Sequence, residues 1–229
     1  MKKLIKICLP MVLAGIAIVL TAGTTNAGVI YSNNFESVVG SEWSNASTDI
    51  TPADGRRFLG QFANDDFVTL SLDNLPLHES ITISFDLFVI QSWDGTSPDW
   101  GPDIWRLSVD NGPVLLSTTF SNTGEDGHLH SYPGSYSGSE EYPAYTGASE
   151  INTLGYEFYG DSAYSLSFTF KHSDSSLALN FAGFGLQDIS DESWGMDNMT
   201  VAVAEFNIPE PATIGILSLS VLGLIRKRK

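Results

Sequence analysis

An alternating stretch, Ile81–Ile90, constrains the fold of this chain more than any other feature of its sequence. Its odd-numbered positions are all apolar, whereas Thr82, Ser84 and Asp86 between them are polar. A period of two is typical of a strand with one buried face, because successive side chains of a strand point to opposite sides. We therefore predict a half-buried strand in an antiparallel sheet.

Similar alternation recurs along the chain, separated by turn signals. The other segments with strand character are Phe67–Leu72, Ile104–Asp110, Val114–Phe120, Tyr164–Phe170, Leu177–Phe181 and Met199–Val203. Many short, half-buried strands with few helical stretches predict an all-β fold, an antiparallel sandwich of two sheets. We expect a jelly-roll, lectin-like sandwich. The chain is long for an immunoglobulin-like one, and its connections at 91–103 and 121–150 are large.

The first 27 residues have the three zones of a secretory signal peptide. Lysines at positions 2, 3 and 6 precede the apolar segment Ile7–Leu20, and the small-residue segment Thr25–Ala27 follows it. This order predicts export and cleavage by signal peptidase before Gly28. The chain then divides into a signal peptide at 1–27, an extracellular β-sandwich domain at 28–207 and a C-terminal segment at 208–229.

The C-terminal segment also has three parts. Pro209, Glu210 and Pro211 stay extended and accessible, because the two prolines remove backbone donors and disfavour helix before them. The uncharged run Ala212–Ile225 can enter a membrane as a helix, and the basic cluster 226–229 keeps the C-terminus on the cytoplasmic side. At about 1.5 Å per residue the run covers roughly 21 Å, less than the roughly 30 Å hydrocarbon core, which favours a temporary anchor.

This three-part tail resembles the PEP-CTERM sorting signal of Gram-negative bacteria, which an exosortase recognises and processes. The resemblance implies that Pro209, Glu210 and Pro211 form the sorting motif and that an exosortase-type enzyme is a partner. It also implies transient anchoring in the inner membrane, followed by release to the cell surface or the extracellular space. The alternative is a plain hydrophobic tail anchor that happens to contain this triplet.

The chain is strongly acidic. The formal net charge is −16, and between positions 28 and 207 the basic residues are only Arg56, Arg57, Arg106 and Lys171. An acidic surface repels nucleic acid and anionic lipid, so we expect neither as a partner, and it suits cation binding. The single cysteine, Cys8, lies in the leader. The mature domain therefore has no disulfide and depends on core packing, with a bound metal as a further source of stability.

Two loops are rich in aromatic residues. One carries tryptophans interleaved with aspartates, and the other carries tyrosines among glycine, serine and proline. Flat rings stack on the apolar faces of sugars while carboxylates accept hydrogen bonds from sugar hydroxyls, so exposed rings here predict a glycan site. The candidate residues are Trp93, Trp100, Trp105, Tyr136 and Tyr142. The alternative is that these rings cap the sandwich core.

The domain between the two ends resembles a secreted bacterial module without an established activity. The segments that carry this resemblance are Ile83–Leu87, Ser92–Gly95 and Asp191–Asn198. The end of the domain also resembles the final strand of carbohydrate-binding jelly rolls, in which an early and a late strand share a structural calcium. The matching positions here are Asn34–Glu36 in the early strand and Asp197–Met199 in the late one. That resemblance implies Glu36 and Asp197 as ligands of a structural Ca²⁺.

The strand parity of Asp197 supports this implied metal site. Asp197 has the same parity as Met199 and Val201, so its carboxylate is expected to point inward. An inward charge at a sandwich edge needs a partner, and a hard cation with oxygen ligands is one. Arg106 or backbone amide groups are the alternative partners.

Signatures of enzymes are weak in this sequence. Gly134–Gly138 has the glycine spacing of a nucleophile elbow but places Tyr136 where a serine is required. Carboxylate pairs are suited to glycosidase chemistry only at the right separation in space, which a sequence does not give. We expect a non-enzymatic exported protein that contacts polysaccharide, such as exopolysaccharide. The alternative is a secreted polysaccharide hydrolase or lyase on a jelly-roll scaffold.

Overall fold

The structure, a computed structural model, describes residues 27–124, 128–136, 138–157 and 159–205. Residues 1–26 of the predicted signal peptide 1–27 and the whole predicted sorting tail 208–229 lie outside the described residues. Within the described ranges we find eleven strands, and no helix with the length and apolar character needed to cross a membrane. The strands are β1 (Ala27–Asn33), β2 (Thr48–Ile50), β3 (Arg57–Phe62), β4 (Phe67–Asp73), β5 (His78–Gln91), β6 (Ile104–Val109), β7 (Val114–Thr119), β8 (Glu150–Ile151), β9 (Asp161–Lys171), β10 (Ser176–Phe184) and β11 (Glu192–Glu205).

The strands form two sheets that enclose one core. The seven-stranded sheet has the order β2-β3-β11-β5-β9-β8, with β1 also paired to β11, and the four-stranded sheet has the order β4-β10-β6-β7. Every strand pairing is antiparallel. The prediction of an all-β, two-sheet antiparallel sandwich is confirmed for the described residues.

The last strand, β11, lies inside the seven-stranded sheet. It pairs with β5 on one side along most of its length. On the other side it pairs first with β3, around Trp194–Met196, and then with β1, from Met199 onward. The C-terminal strand of the domain therefore joins three strands that precede it by a hundred residues or more.

A β-bulge interrupts β11 near Asn198. Asp197 lies opposite Asp86 and the next paired residues are Thr200 and Ser84, so β11 contains one residue more than β5 between these two pairs. Asn198, within this segment, has a positive φ of 52°. The extra residue shifts the alternation, so Met196 and Met199 both belong to the core while Asp197 shares the outer face of the sheet with Asp86. The inward orientation predicted for Asp197 is therefore wrong, because strand parity does not continue through a bulge.

Two hydrophobic clusters stabilise the sandwich. The main cluster fills the space between the sheets, and ring contacts link Phe85, Trp105, Phe181 and Trp194 within it. Complete burial of an apolar side chain contributes about 1.5–3 kcal/mol. A smaller cluster covers part of the outer face of the seven-stranded sheet and consists of Phe58, Phe88, Ile90, Leu154 and Ala163. The end of β5 is consequently buried on both faces.

Candidate functional site

The loop after β5 and the long loop after β7 pack against each other. The backbone N–H and the hydroxyl of Thr96 lie 2.7 and 3.0 Å from the Leu129 carbonyl oxygen, and the same hydroxyl lies 2.9 Å from Oε1 of Glu141. Gly95 permits this approach, because it has a φ of +67° and a Cβ there would lie 2.1 Å from the Leu129 carbonyl oxygen. The two aromatic-rich loops of the sequence therefore form one structural unit.

Three acidic side chains from separate parts of the chain meet beside this unit. Asp94 forms an isolated bridge with Ser121 just after β5, Asp103 directly precedes β6, and Glu192 begins β11. One carboxylate oxygen from each residue lies within 4.8 Å of the other two. The three residues, which we call the acidic triad, are 8%, 0% and 0% exposed. Among the described residues, no other group of three or more acids, histidines or cysteines is close enough to hold a metal ion.

Hydrogen-bond donors satisfy only part of the acidic triad. Asp103 Oδ2 accepts a hydrogen bond from the backbone N–H of Asp94, and a carboxylate oxygen of Asp94 lies 3.0 Å from Nδ1 of His128. Glu192 Oε2 accepts one from the backbone N–H of Gln187 at 2.8 Å. In contrast, Asp103 Oδ1 and Glu192 Oε1 are buried, no N–H or hydroxyl donor among the described residues reaches them, and a hydrogen bond between the two side chains requires a proton on one of them. Such an oxygen is unfavourable in a protein interior unless a proton or a cation neutralises it.

Burial and mutual repulsion disfavour ionisation of the acidic triad. Burial raises the pKa of Asp103, and the charge of Asp94 raises it further, although the hydrogen bond from the Asp94 backbone opposes both effects. Burial likewise raises the pKa of Glu192, and the charge of Asp103 is the next cause. The group is therefore stabilised by any partner that carries positive charge.

Two segments that carry the resemblance to a secreted module hold the acidic triad in place. Ser92 Oγ donates to Asp191, with Oδ1 at 2.7 Å, and the indole N–H of Trp93 donates to the carbonyl of Ser193 at 2.9 Å. The sequence singled out both segments but did not show that they touch. No spacing rule connects acids that lie about a hundred residues apart, so the acidic triad was missed.

Two of the predicted glycan-contacting rings are buried. Trp93 and Trp105 are both 0% exposed. Trp93 packs against Phe120, and Trp105 contacts Phe85 and Phe181 in the main core. The prediction that Trp93 and Trp105 contact a sugar is therefore wrong, because neither ring has a free face.

The other predicted rings keep some accessible surface. Trp100 is 66% exposed and Tyr136 is 39% exposed. Tyr142 is half-buried, and its hydroxyl donates to Oε2 of Glu140 at 2.8 Å. These three residues remain predictions for a glycan contact in the loops.

The long loop after β7 also caps the core, as the alternative interpretation of its rings proposed. Tyr132 and Tyr164 pack on Phe120, with ring centroids at 5.1 and 4.5 Å. His130 is fully buried beside them, and its Nδ1 accepts a hydrogen bond from the backbone N–H of Ser121 at 3.2 Å. Burial lowers the pKa of His130 to about 4.

Glu36 and Asp197, the predicted calcium ligands, have backbone partners. Glu36 Oε1 accepts a hydrogen bond from the N–H of Arg57 at 3.0 Å, and Asp197 Oδ1 accepts one from the N–H of Asn198 at 2.7 Å. Burial is the main cause that raises the pKa of Asp197 to about 6. Arg106, one of the alternative partners of Asp197, lies in the other sheet. A cation shared by Glu36 and Asp197 stays a prediction.

The outer face of the four-stranded sheet carries a shallow groove of about 440 Å³. Ala182 of β10 forms its floor, opposite Phe67 of β4 on one side and Arg106 of β6 on the other. Phe184 lies two residues further along β10 and is therefore a diagonal neighbour of Phe67. The small alanine between larger side chains creates the depression. We call this site the Phe67 groove, defined by Phe67, Arg106, Asn180, Ala182 and Phe184.

The Phe67 groove combines exposed rings with fixed polar groups. Phe67 is 67% exposed and Phe184 is 38% exposed. The hydroxyl of Thr69 donates to Oδ1 of Asn180 at 2.7 Å, which fixes the orientation of that amide. The strand pattern contained a signal for this site, because Val68 faces the core and Phe67 must then lie on the outer face.

Comparisons with known proteins give a similarity of architecture only. No family model matches the chain, and no curated protein matches it. The xylan-binding domain CBM22-1 of Paenibacillus barcinonensis Xyn10C is 14% identical, with a TM-score of 0.39, over 80% of this chain and 99% of its own. The C-terminal CBM6 of LamC from Zobellia galactanivorans is 12% identical, with a TM-score of 0.38, over 75% of this chain and 97% of its own.

A third solved structure is much longer than this chain. Dimeric latent PorU from Porphyromonas gingivalis is 10% identical, with a TM-score of 0.42, and the match covers 78% of this chain but only 13% of PorU. At such identities and TM-scores, the likeness identifies neither a ligand nor an activity for this chain.

Proposed function

We propose that this protein is an exported, non-enzymatic β-sandwich of the jelly-roll, lectin-like type that binds polysaccharide through the Phe67 groove. The observation that carries the proposal is the pair of exposed rings, Phe67 and Phe184, in a groove whose other lining residues are small or polar. Exposed rings beside hydrogen-bonding groups favour a ligand with an apolar side and a polar edge. Sugar rings have this character.

The spacing across the groove suits a single polysaccharide chain. Phe67 and Arg106 lie on strands that flank β10, so their backbones are separated by roughly 10 Å, two strand spacings. In this arrangement the phenyl rings would contact the C–H faces of the sugar, while Arg106 and Asn180 would hydrogen-bond its hydroxyls.

The charge of the protein favours a neutral polysaccharide. The net charge of −16 disfavours the approach of anionic polymers, and Asp65 lies at the edge of the groove. Only one basic residue, Arg106, belongs to the groove. We therefore expect uncharged polysaccharides to bind more tightly than uronate-rich or sulfated ones.

Export and sorting form the second part of the proposal. The order of zones in residues 1–27 supports export with signal peptidase as processing enzyme, and the tail at 208–229 supports PEP-CTERM sorting by an exosortase-type enzyme. The protein would be held briefly in the inner membrane and then reach the cell surface or the extracellular matrix. Exopolysaccharide in that matrix is then an available ligand.

The hydrolase alternative has one observation in its favour, namely the raised pKa values of Asp103 and Glu192 in the acidic triad. A glycosidase needs such an acid next to a second carboxylate, but it must also reach the glycosidic oxygen. The members of the acidic triad are at most 8% exposed. This burial favours binding over hydrolysis, and release of reducing ends from a bound polysaccharide would support the alternative.

Affinity electrophoresis of the full-length chain in mild detergent tests the groove. Gels that contain xylan, laminarin or hydroxyethyl cellulose should slow the wild-type protein, and the F67A/F184A double variant should lose at least tenfold in affinity for the polysaccharide that binds. Leu77→Ala is the matched control, because Leu77 is 77% exposed elsewhere.

Two results would contradict the proposal. Normal migration of the wild-type protein in every gel would exclude binding to these polymers. If the gels still slow F67A/F184A but no longer slow Trp100→Ala, the polysaccharide site lies in the loop predicted from the sequence and not in the groove.

A further inference from the structure

We propose that the acidic triad, Asp94, Asp103 and Glu192, binds a divalent cation with oxygen ligands, and we assign this cation as Ca²⁺. The site is distinct from the predicted Glu36–Asp197 pair, because Asp197 lies elsewhere on β11, Glu36 follows β1, and neither belongs to a group of three potential ligands close enough to hold a metal ion among the described residues. It is also independent of the Phe67 groove, so the two proposals can fail separately.

The first support is the unsatisfied state of two buried oxygens. Asp103 Oδ1 and Glu192 Oε1 belong to residues with 0% exposure, and no N–H or hydroxyl donor among the described residues reaches either atom, so these two carboxyl groups have only each other as neighbouring side-chain hydrogen-bond partners. Both are acceptors and cannot satisfy each other without a proton or an ion between them. His128 beside Asp94 supplies at most one positive charge against three carboxylates. The cluster therefore has both the vacant acceptors and the charge that a cation requires.

The second support is the separation of the carboxylates. One oxygen from each acid lies within 4.8 Å of the others. Calcium binds oxygen at about 2.3–2.6 Å, so two ligand oxygens on opposite sides of the ion are about 4.6–5.2 Å apart and adjacent ligands are closer. Calcium also accepts carboxylates with one or two oxygens each, together with carbonyl groups and water, in flexible geometry. The donor set contains only oxygen, which favours this hard cation over softer metals.

A cation here would join both sheets at one end of the sandwich. Asp94 follows β5 and Glu192 begins β11, both in the seven-stranded sheet, whereas Asp103 precedes β6 of the four-stranded sheet. The ion would also close the loop between Asp94 and Asp103, which presents Trp100 to solvent. We therefore expect Ca²⁺ to stabilise the whole domain and to reduce cleavage of this loop by proteases.

Calorimetric titration of the chelator-treated, full-length protein with CaCl₂ tests the site. We expect one Ca²⁺ per chain, a melting temperature that rises by several degrees on binding, and weaker binding of Mg²⁺. Glu192→Gln and Asp103→Asn should each remove the bound ion. Asp99→Asn is the matched control, because Asp99 lies in the same loop but is exposed. This variant should leave both the Ca²⁺ stoichiometry and the rise in melting temperature unchanged.

Three outcomes would overturn the assignment. One is a wild-type protein that binds no Ca²⁺ and melts at the same temperature with and without EDTA, since the triad would then be neutralised by protons. Another is the loss of binding in Asp197→Asn but not in Glu192→Gln, which would place the ion at the other pair. An equal loss of Ca²⁺ binding in Asp99→Asn would indicate nonspecific binding of the ion to the acidic surface. If neither triad variant folds, Asp197→Asn decides: retention of one Ca²⁺ per chain and of the melting shift supports the triad, and loss of both overturns the assignment.

Discussion

Asp197 lies directly opposite Asp86 in the central pair of strands, so two carboxylates share one face of the seven-stranded sheet. Asp86 accepts hydrogen bonds from Asn198 Nδ2 at 2.8 Å and from Ser165 Oγ at 2.7 Å. Asp197 is more deeply buried, and its pKa rises to about 6 because of burial first and then the nearby charges of Asp86 and Glu36. The bulge at Asn198 therefore places a carboxyl group where its charged form is unfavourable.

We expect Asp197→Asn to stabilise the metal-free protein at pH 7. The pKa of about 6 in the folded state exceeds the value of about 3.9 in the unfolded chain, so ionisation of Asp197 opposes folding above pH 6. The substitution should raise the free energy of unfolding by about 3 kcal/mol at pH 7 in EDTA. The gain should shrink as the pH falls towards 4. Urea unfolding at both pH values measures it.

The same variant tests the predicted calcium pair. If Glu36 and Asp197 share a cation, Asp197→Asn should be less stable than the wild-type protein once Ca²⁺ is added, although it is more stable in EDTA. A variant that remains the more stable protein under both conditions contradicts the predicted pair.

His130 should make the domain less stable in mild acid. Its pKa is about 4 in the folded protein and about 6.5 in the unfolded chain, so the unfolded state binds a proton first and stability falls as the pH drops from 6.5 to 4. Protonation of this residue should lower the free energy of unfolding by about 2 kcal/mol between pH 7 and pH 5. His130→Asn keeps an acceptor near the Ser121 N–H and should lack that loss. Parallel stability curves for the two proteins would disprove the prediction.

Two tryptophans that are close in sequence, Trp100 in the loop before β6 and Trp105 in β6 itself, should differ sharply in their effect on stability. Trp105→Ala removes a fully buried ring from the main core and should cost about 3–5 kcal/mol in free energy of unfolding. Trp100→Ala changes a ring that is 66% exposed and should stay within about 0.5 kcal/mol of the wild type. Chemical denaturation of both variants compares them. Equal losses would mean that Trp100 also packs in the interior.

The sorting prediction concerns Pro209 and Pro211. Their replacement by alanine should leave the protein at the inner membrane, because the apolar run and the basic end still hold it there while processing fails. Deletion of residues 208–229 should instead release soluble protein. Fractionation of cells followed by immunoblotting distinguishes the two results. An alanine variant that leaves the membrane normally would favour the plain tail anchor.

The strands were predictable because alternation is a local property. The half-buried face of Ile81–Ile90 and the segment Leu177–Phe181 both appear in the sequence as a period of two and lie in β5 and β10 of the structure. The order of strands was not predictable, because the pairing of β11 with β1, β3 and β5 depends on packing between distant segments. The bulge at Asn198 was missed for a related reason, since one inserted residue leaves no trace in composition.

The site residues were only partly predictable. Composition correctly indicated that loop aromatics either bind a ligand or pack inside, but it could not separate Trp93 from Trp100, because exposure is set by the fold. The acidic triad joins positions 94, 103 and 192, and no local spacing predicts that meeting. Phe67 and Phe184 could have been identified from their strand parity, as aromatic residues on the outer face of the sheet.

The interior position of β11 determines when the domain can complete its fold. A polypeptide leaves the ribosome or a translocon from its N-terminus, so β1, β3 and β5 emerge long before the strand that joins them. Until β11 is available, β1, the pair β2-β3 and the strands β5-β9-β8 are not joined to one another, and their apolar faces stay open to solvent. Such non-local pairing also slows folding. Truncation before residue 192 should therefore yield an unfolded product, and a folded domain indicates a chain that has been synthesised at least through its last strand.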